Sequence, residues 1–133
     1  MKYYLDTNIC IYYLKGINAN IGRKLFEKHP DDIKIASIVK AELLYGAEKS
    51  IRKEENLQKI EEFLFPFEIM PFGNRECNAY ARIRADMEKE GEIIGPNDVV
   101  IAAVVLENDG TLVTNNEREF ARIENLKIEN WAN

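Results

Sequence analysis

The sequence predicts an α/β fold: a mostly parallel central sheet of about five strands, flanked by helices on both faces. Three observations predict it. Short apolar runs alternate with longer stretches of helical period. The intervening stretches are long enough to act as crossovers, which join successive strands in parallel and cover the sheet on both sides. Glycine and proline, finally, stand outside nearly every proposed helix.

Taken in order, Tyr3 to Leu5 is the first strand, and Ile9 to Leu14 continues the apolar pattern as a helix. A second helix covers Asn20 to Glu27, with Gly22 as its weak point. "IKIA", Ile33 to Ala36, is the second strand. Helices follow over Val39 to Ser50, interrupted only by Gly46, and over Glu54 to Phe65. Pro66 ends the latter sharply, since proline disfavours helical geometry in the residue before it. "FEIM", Phe67 to Met70, is the third strand. In the helix expected over Arg75 to Glu90, Ala79, Tyr80, Ile83 and Met87 share one side at spacings of three and four. Val99 to Asn108 is a helix apolar almost all round. Thr111 to Val113 and Leu126 to Ile128 complete the sheet.

At 133 residues and 46% hydrophobic, the chain is expected to form one domain over residues 1–133, with no repeat or linker dividing it. No window approaches the roughly 18 apolar residues of a membrane span and no leader pattern opens the sequence, so a cytoplasmic protein without membrane contact is expected. Cys10 and Cys77 form no CxxC pair and read as buried thiols. A net charge of −5 argues against a broad, non-specific grip on nucleic acid but leaves room for a small local footprint. His29, the one histidine, lies in "FEKHPDD" and reads as surface, which leaves no basis for a Ser-His-Asp triad or an HExxH zinc site. Neither GxGxxG nor GxxxxGK[ST] is present.

Chemistry is expected where the sheet opens. In doubly wound folds ligands bind beyond the C-terminal strand ends, and Asp6 follows the first strand there. Glu42 lies in "SIVKAELLYGAE", past the second strand, with Ser37 near the helix start. Asp98 lies in "IIGPNDVVIAAVVL", where Gly95 and Pro96 set a turn and Asn97 is placed to cap. Asn115, Asn116, Glu117 and Glu119 follow the fourth strand. Several carboxylates in one crevice repel unless a cation neutralises them. Oxygen ligands without imidazole or thiolate suit Mg²⁺ or Mn²⁺, and the reaction such a site serves is phosphodiester hydrolysis. Each residue also has a plainer reading: Asp98 on a helix dipole, Glu42 paired with Lys40 or Lys49, Asp6 in a turn with Thr7 and Asn8. The run "EKSIRKEEN" reads as a solvated face, from which Lys49, Arg52 and Lys53 could reach toward an RNA backbone.

Five blocks in order, "LDTNICIYYL", "SIVKAELLYG", "IIGPNDVVIAA", "LVTNNEREF" and "LKIENW", resemble the PIN-domain ribonucleases, and among them the VapC toxins of bacterial type II toxin–antitoxin modules. The resemblance covers nearly the whole chain. It implies a PIN-like fold and a metal-dependent endoribonuclease using Mg²⁺, with Mn²⁺ as a substitute. The family's first aspartate falls on Asp6, followed by Thr7 and Asn8, its glutamate on Glu42 and its next aspartate on Asp98. Asp6 and Asp98 are thereby the implied metal ligands. Many PIN domains carry an aspartate where Asn116 stands, so Glu119 is the candidate fourth carboxylate and one ion, rather than two, is expected. Family membership further implies a homodimer and a cognate VapB-type antitoxin that covers the acidic site and contacts operator DNA, so that the toxin meets DNA only indirectly. Some relatives cut initiator tRNA, and RNA is the implied substrate. Tyr12, Tyr13, Leu44, Tyr45, Phe63, Phe65 and Phe67 are read as mostly core, with the remainder lining a partner groove or dimer contact. A catalytically silent scaffold or binding module and a structure-specific DNA nuclease are the alternatives.

Overall fold

In the computed structural model, which describes all 133 residues, the chain runs β1 (Tyr3–Leu5), α1 (Thr7–Lys15), α2 (Ala19–Phe26), β2 (Ile33–Ala36), α3 (Ser37–Glu48) and α4 (Lys53–Leu64). It continues through β3 (Glu68–Met70), α5 (Asn74–Glu90), α6 (Pro96–Glu107), β4 (Thr111–Val113), α7 (Glu117–Phe120) and β5 (Lys127–Glu129). The five strands form one parallel sheet in the order β3-β2-β1-β4-β5. β1 takes the centre, where Tyr4 and Leu5 are buried and Tyr3 lies opposite both Ile33 and Thr111. From β1 the chain winds outward to β3, then returns across the sheet to β4. The strand order therefore reverses beside β1, and the crevice of a doubly wound fold opens there. The connections to β2 and β3 run one way along the sheet and those to β4 and β5 the other, so crossovers of the usual right hand put α1 to α4 on one face and α5 to α7 on the other.

The expected α6, apolar almost all round, is a core helix: Val99 and Ile101 through Val105 are buried. Its burial brings its N-terminal turn to the crevice. At the other end of the sheet Gly110 lies so close to Tyr4 that an added Cβ would stand 2.4 Å from the ring. α1 ends at Gly16 in the left-handed region, φ 65°, a conformation glycine adopts without steric cost. No helix is long and apolar enough to cross a membrane.

Several boundaries differ from the sequence expectation for physical reasons. α1 starts at Thr7 rather than Ile9 because the Asp6 side chain caps it. β3 begins at Glu68, leaving Phe67 outside, and β5 lies one residue later than expected. The four-residue α7 and a 3₁₀ turn at Pro30–Asp32 are too short to show a period in sequence. His29 is exposed, as expected, and its Nδ1 accepts the Asp31 N–H at 3.1 Å to cap that turn. Cys10 is buried but Cys77 is exposed on α5. Asn97 does not cap α6, because Gly95 holds that position. None of the seven aromatic and aliphatic residues read as mostly core is fully buried. Tyr45 and Phe65 are 65% and 88% exposed, and the other five are half-buried around the core, with Phe63 tilted against Tyr13 and edge-on to Phe67.

Candidate active site

Asp6 follows the last residue of β1 and enters the crevice with its backbone still tied to the sheet, its N–H donating to the Val113 carbonyl at 3.0 Å. One carboxylate oxygen, Oδ1, accepts the Ile9 N–H at 3.0 Å and caps α1. The other, Oδ2, accepts the hydroxyl of Thr114, a fully buried residue just beyond β4. A buried carboxylate is tolerated here because both oxygens meet donors. Burial nonetheless outweighs those bonds and, with the charge of Glu42 added, raises the Asp6 carboxyl above its ordinary value.

Three further acids face the same space. Glu42, in the second turn of α3, accepts the Thr7 hydroxyl on Oε1 at 2.5 Å and the Asn97 amide on Oε2 at 3.3 Å. The starts of α1 and α6 are thereby both tied to α3. Asp98, third residue of α6, is half-buried, and no donor or cation offsets its charge. Burial first, and then the charges of Asp6, Glu42 and Glu119, push its carboxyl up to about 6. Glu119 on α7 accepts the Asn116 amide at 2.9 Å, and the Asn116 backbone N–H donates to Thr114 Oγ1 at 2.9 Å. A hydrogen-bonded chain thus runs from Asp6 through Thr114 and Asn116 to Glu119.

The remaining sequence candidates take lesser places. Asn8 is exposed and supports Asp6 only through its backbone N–H. Ser37 is the first residue of α3, with Ala36 at the cap. Asn115 is exposed and accepts from Asn130 at 3.2 Å. Lys49 lies over the Tyr45 ring, Lys53 pairs with Glu48 and Arg52 stands near Glu55, at the α3–α4 turn roughly 10 Å along α3 from Glu42. Lys40 and Lys49 do not pair with Glu42, whose partners are Thr7 and Asn97. Sequence reasoning missed Thr114 and the amide role of Asn97. Thr114 extends the apolar run "TLV" with a hydroxyl that needs a partner once buried, a signal that was available.

Four carboxylates with amides and hydroxyls, and neither imidazole nor thiolate, form an oxygen-only set that fits a hard divalent cation. The acids do not close into a ready-made coordination shell. Mg²⁺ keeps several waters and takes only one or two carboxylates, so it does not require such a shell. Beside Glu42 a groove of about 590 Å³ runs between α1, α3 and α4. Leu14, Leu43, Ala47 and Ile60 form its apolar floor, and Lys15 and Lys59 also line it.

Comparison with known proteins finds relatives along nearly the whole chain. The PIN domain family matches residues 3–126. The chain is 43% identical to ribonuclease VapC2 of Rickettsia felis over 144 residues, with 98% of each chain covered. It is 36% identical to the tRNA(fMet)-specific endonuclease VapC of Shigella flexneri, with 99% of each covered. Among solved structures it is similar to VapBC2 from Rickettsia felis bound to a DNA fragment from their promoter. That match has a TM-score of 0.93 and 42% identity, covering 98% of this chain and 99% of that one.

Proposed function

Because this chain belongs to the PIN-domain family, and within it to the VapC toxins of type II toxin–antitoxin modules, we propose that it is a toxin endoribonuclease that hydrolyses RNA with Mg²⁺ or Mn²⁺. One observation carries the metal: Asp98 sits half-buried among three other acids, with every contribution from its surroundings raising its carboxyl. A group so placed is ionised at neutral pH only at a cost, and a divalent cation removes that cost. Asp6 and Asp98 hold the ion. When bound, it neutralises the acids, acidifies a coordinated water and stabilises charge on the phosphate.

The chain's own residues do the rest. Asp6, fixed by the α1 cap and Thr114, presents its remaining lone pairs to the crevice. Glu42, gripped by Thr7 and Asn97, orients the attacking water and accepts its proton. Glu119 is the fourth carboxylate of the site. The substrate is RNA, and the name of the Shigella relative supports initiator tRNA as the target. A chain of net charge −5 suits a short exposed loop better than a long duplex.

The partner is a VapB-type antitoxin, supported by the antitoxin-bound Rickettsia relative. Its C-terminal segment lays apolar side chains into the groove beside Glu42 and sets an arginine against the carboxylates. The exposed Tyr45, Ile51 and Phe65 supply apolar surface for a homodimer. Operator DNA is contacted by the antitoxin rather than by this acidic chain. The test is incubation of the purified toxin with total RNA, with and without Mg²⁺ or Mn²⁺, and mapping of the new 5′ ends. Metal-dependent ends within an initiator-tRNA loop are expected. Cleavage that persists in EDTA would overturn the metal role, and cleavage of duplex DNA in preference to RNA would overturn the substrate.

A further inference from the structure

The two aspartates and the two glutamates of the crevice are held differently. Asp6 is bound by a backbone N–H and a hydroxyl on short, rigid geometry, and Asp98 is carried by the buried helix α6. Glu42 and Glu119 have one more rotatable bond each, and each accepts an asparagine amide, from Asn97 at 3.3 Å and from Asn116 at 2.9 Å. The same device is used twice, on the two side chains that need it.

At Asn116 the device has a particular consequence. Its backbone N–H is fixed by Thr114, so its side chain leaves the strand end in a set direction. That side chain is an amide, which brings no charge to a cation. It stands three residues before Glu119, one turn of α7, and spends its NH₂ on the Glu119 carboxylate. Glu119 in turn contributes to the field felt by Asp98.

We propose that Asn116 is a positioning residue, its side-chain amide holding the Glu119 carboxylate toward the crevice. The chain Asp6–Thr114–Asn116–Glu119 then fixes two walls of the crevice relative to each other through one buried hydroxyl. The proposal rests on the nuclease reading but is tested separately from it.

Two readouts are decisive. In the metal-free protein, the Asn116 side-chain amide should give a downfield, slowly exchanging NMR signal, and Glu119→Ala should abolish both features. For Mn²⁺ binding measured by calorimetry without RNA, Asn116→Ala should weaken affinity about tenfold, the lower end of the range for residues that orient a ligand. Asn116→Asp separates the two assignments by sign. If 116 positions Glu119, a carboxylate there repels Glu119 and affinity falls; if 116 is itself the ligand position, affinity rises and Glu119→Gln is silent. An amide signal unmoved by Glu119→Ala, or tighter Mn²⁺ binding by Asn116→Asp, would overturn the proposal. Absence of both Mn²⁺ binding and RNA cleavage in the wild type would instead overturn the nuclease reading, and the amide signal would still decide the role of Asn116.

Discussion

Asp98 is asked to be negative where the fold makes negative charge costly, and its carboxyl is pushed up to about 6 in consequence, burial acting first and the neighbouring acids next. The unfolded chain would titrate at about 3.9. A folded value above the unfolded one means that the stability contributed by this group is fully present below about pH 4 and is lost as pH rises through about 6. The metal-free protein should therefore lose stability from this group between those pH values, and Asp98→Asn should remove the loss. A shift of this size corresponds to roughly 3 kcal/mol before solvent screening, and a half-buried group retains about 1 kcal/mol of it, or about 3 °C in melting temperature. At pH 7.5 in EDTA the variant should melt about 3 °C above wild type, with the difference vanishing near pH 4. At an exposed helix start the same substitution would change stability by no more than about 0.5 kcal/mol. Mn²⁺ at a hundred times its Kd should then raise wild-type stability by about 2.7 kcal/mol and leave the variant nearly unmoved, with cleavage lost. A variant that melts lower than wild type in EDTA, or still cleaves, would place Asp98 outside the metal site.

Elements meet at single polar atoms in this fold, and Thr114 shows how much rests on one. Its hydroxyl serves Asp6 at the end of β1 and the Asn116 N–H at the start of α7. Thr114→Val keeps the shape and strands both groups, at a cost of about 1 to 3 kcal/mol for the buried carboxylate oxygen. Melting should fall by several degrees and Mn²⁺ affinity should fall with it; an unchanged melting temperature would mean that water replaces the hydroxyl. Gly110→Ala tests the opposite end of the sheet. Its Cβ would meet the Tyr4 ring at 2.4 Å, and forcing the two apart should cost about 1 to 3 kcal/mol with Mn²⁺ affinity unaltered. These positions also mark where legibility stopped. Strands, crossovers and the acids at strand ends could be read because apolar period and chain direction are local signals, and Asp6, Glu42 and Asp98 stood out as charges set in apolar runs. Thr114 carried a signal, a hydroxyl at the end of an apolar run, but not its partner; Asn97 was hidden by a capping role that Gly95 fills, and α7 by a length shorter than the period that would reveal it. Which side chain grips which is a tertiary fact: Glu42 finds Thr7, 35 positions away, rather than a lysine on its own helix.

For the whole molecule, the decisive quantity is charge gathered at one place. The chain carries a net charge of −5, yet four of its acids face a single crevice whose only internal relief is hydroxyl and amide dipoles. On the proposed function the crevice would take one neutralising agent at a time. A divalent cation would supply two charges to Asp6 and Asp98, and an antitoxin arginine would supply one, with a planar fork that matches a carboxylate, while apolar side chains beside it would fill the groove over Leu14 and Ile60. If both agents compete for the same field, their binding must be linked reciprocally: antitoxin weakens Mn²⁺ binding by the factor by which Mn²⁺ weakens antitoxin binding. A coupling of about 1 to 3 kcal/mol, 5- to 150-fold, is the ordinary range for such linkage. The measurement is Mn²⁺ titration of the free toxin and of the co-expressed complex, beside antitoxin dissociation with and without saturating Mn²⁺. Both affinities should fall by the same factor, and substituting the antitoxin's crevice arginine by glutamine should abolish the linkage while leaving the groove-bound segment attached. Equal Mn²⁺ affinity in toxin and complex would mean that the antitoxin silences this chain by covering the RNA path rather than by replacing the metal's charge.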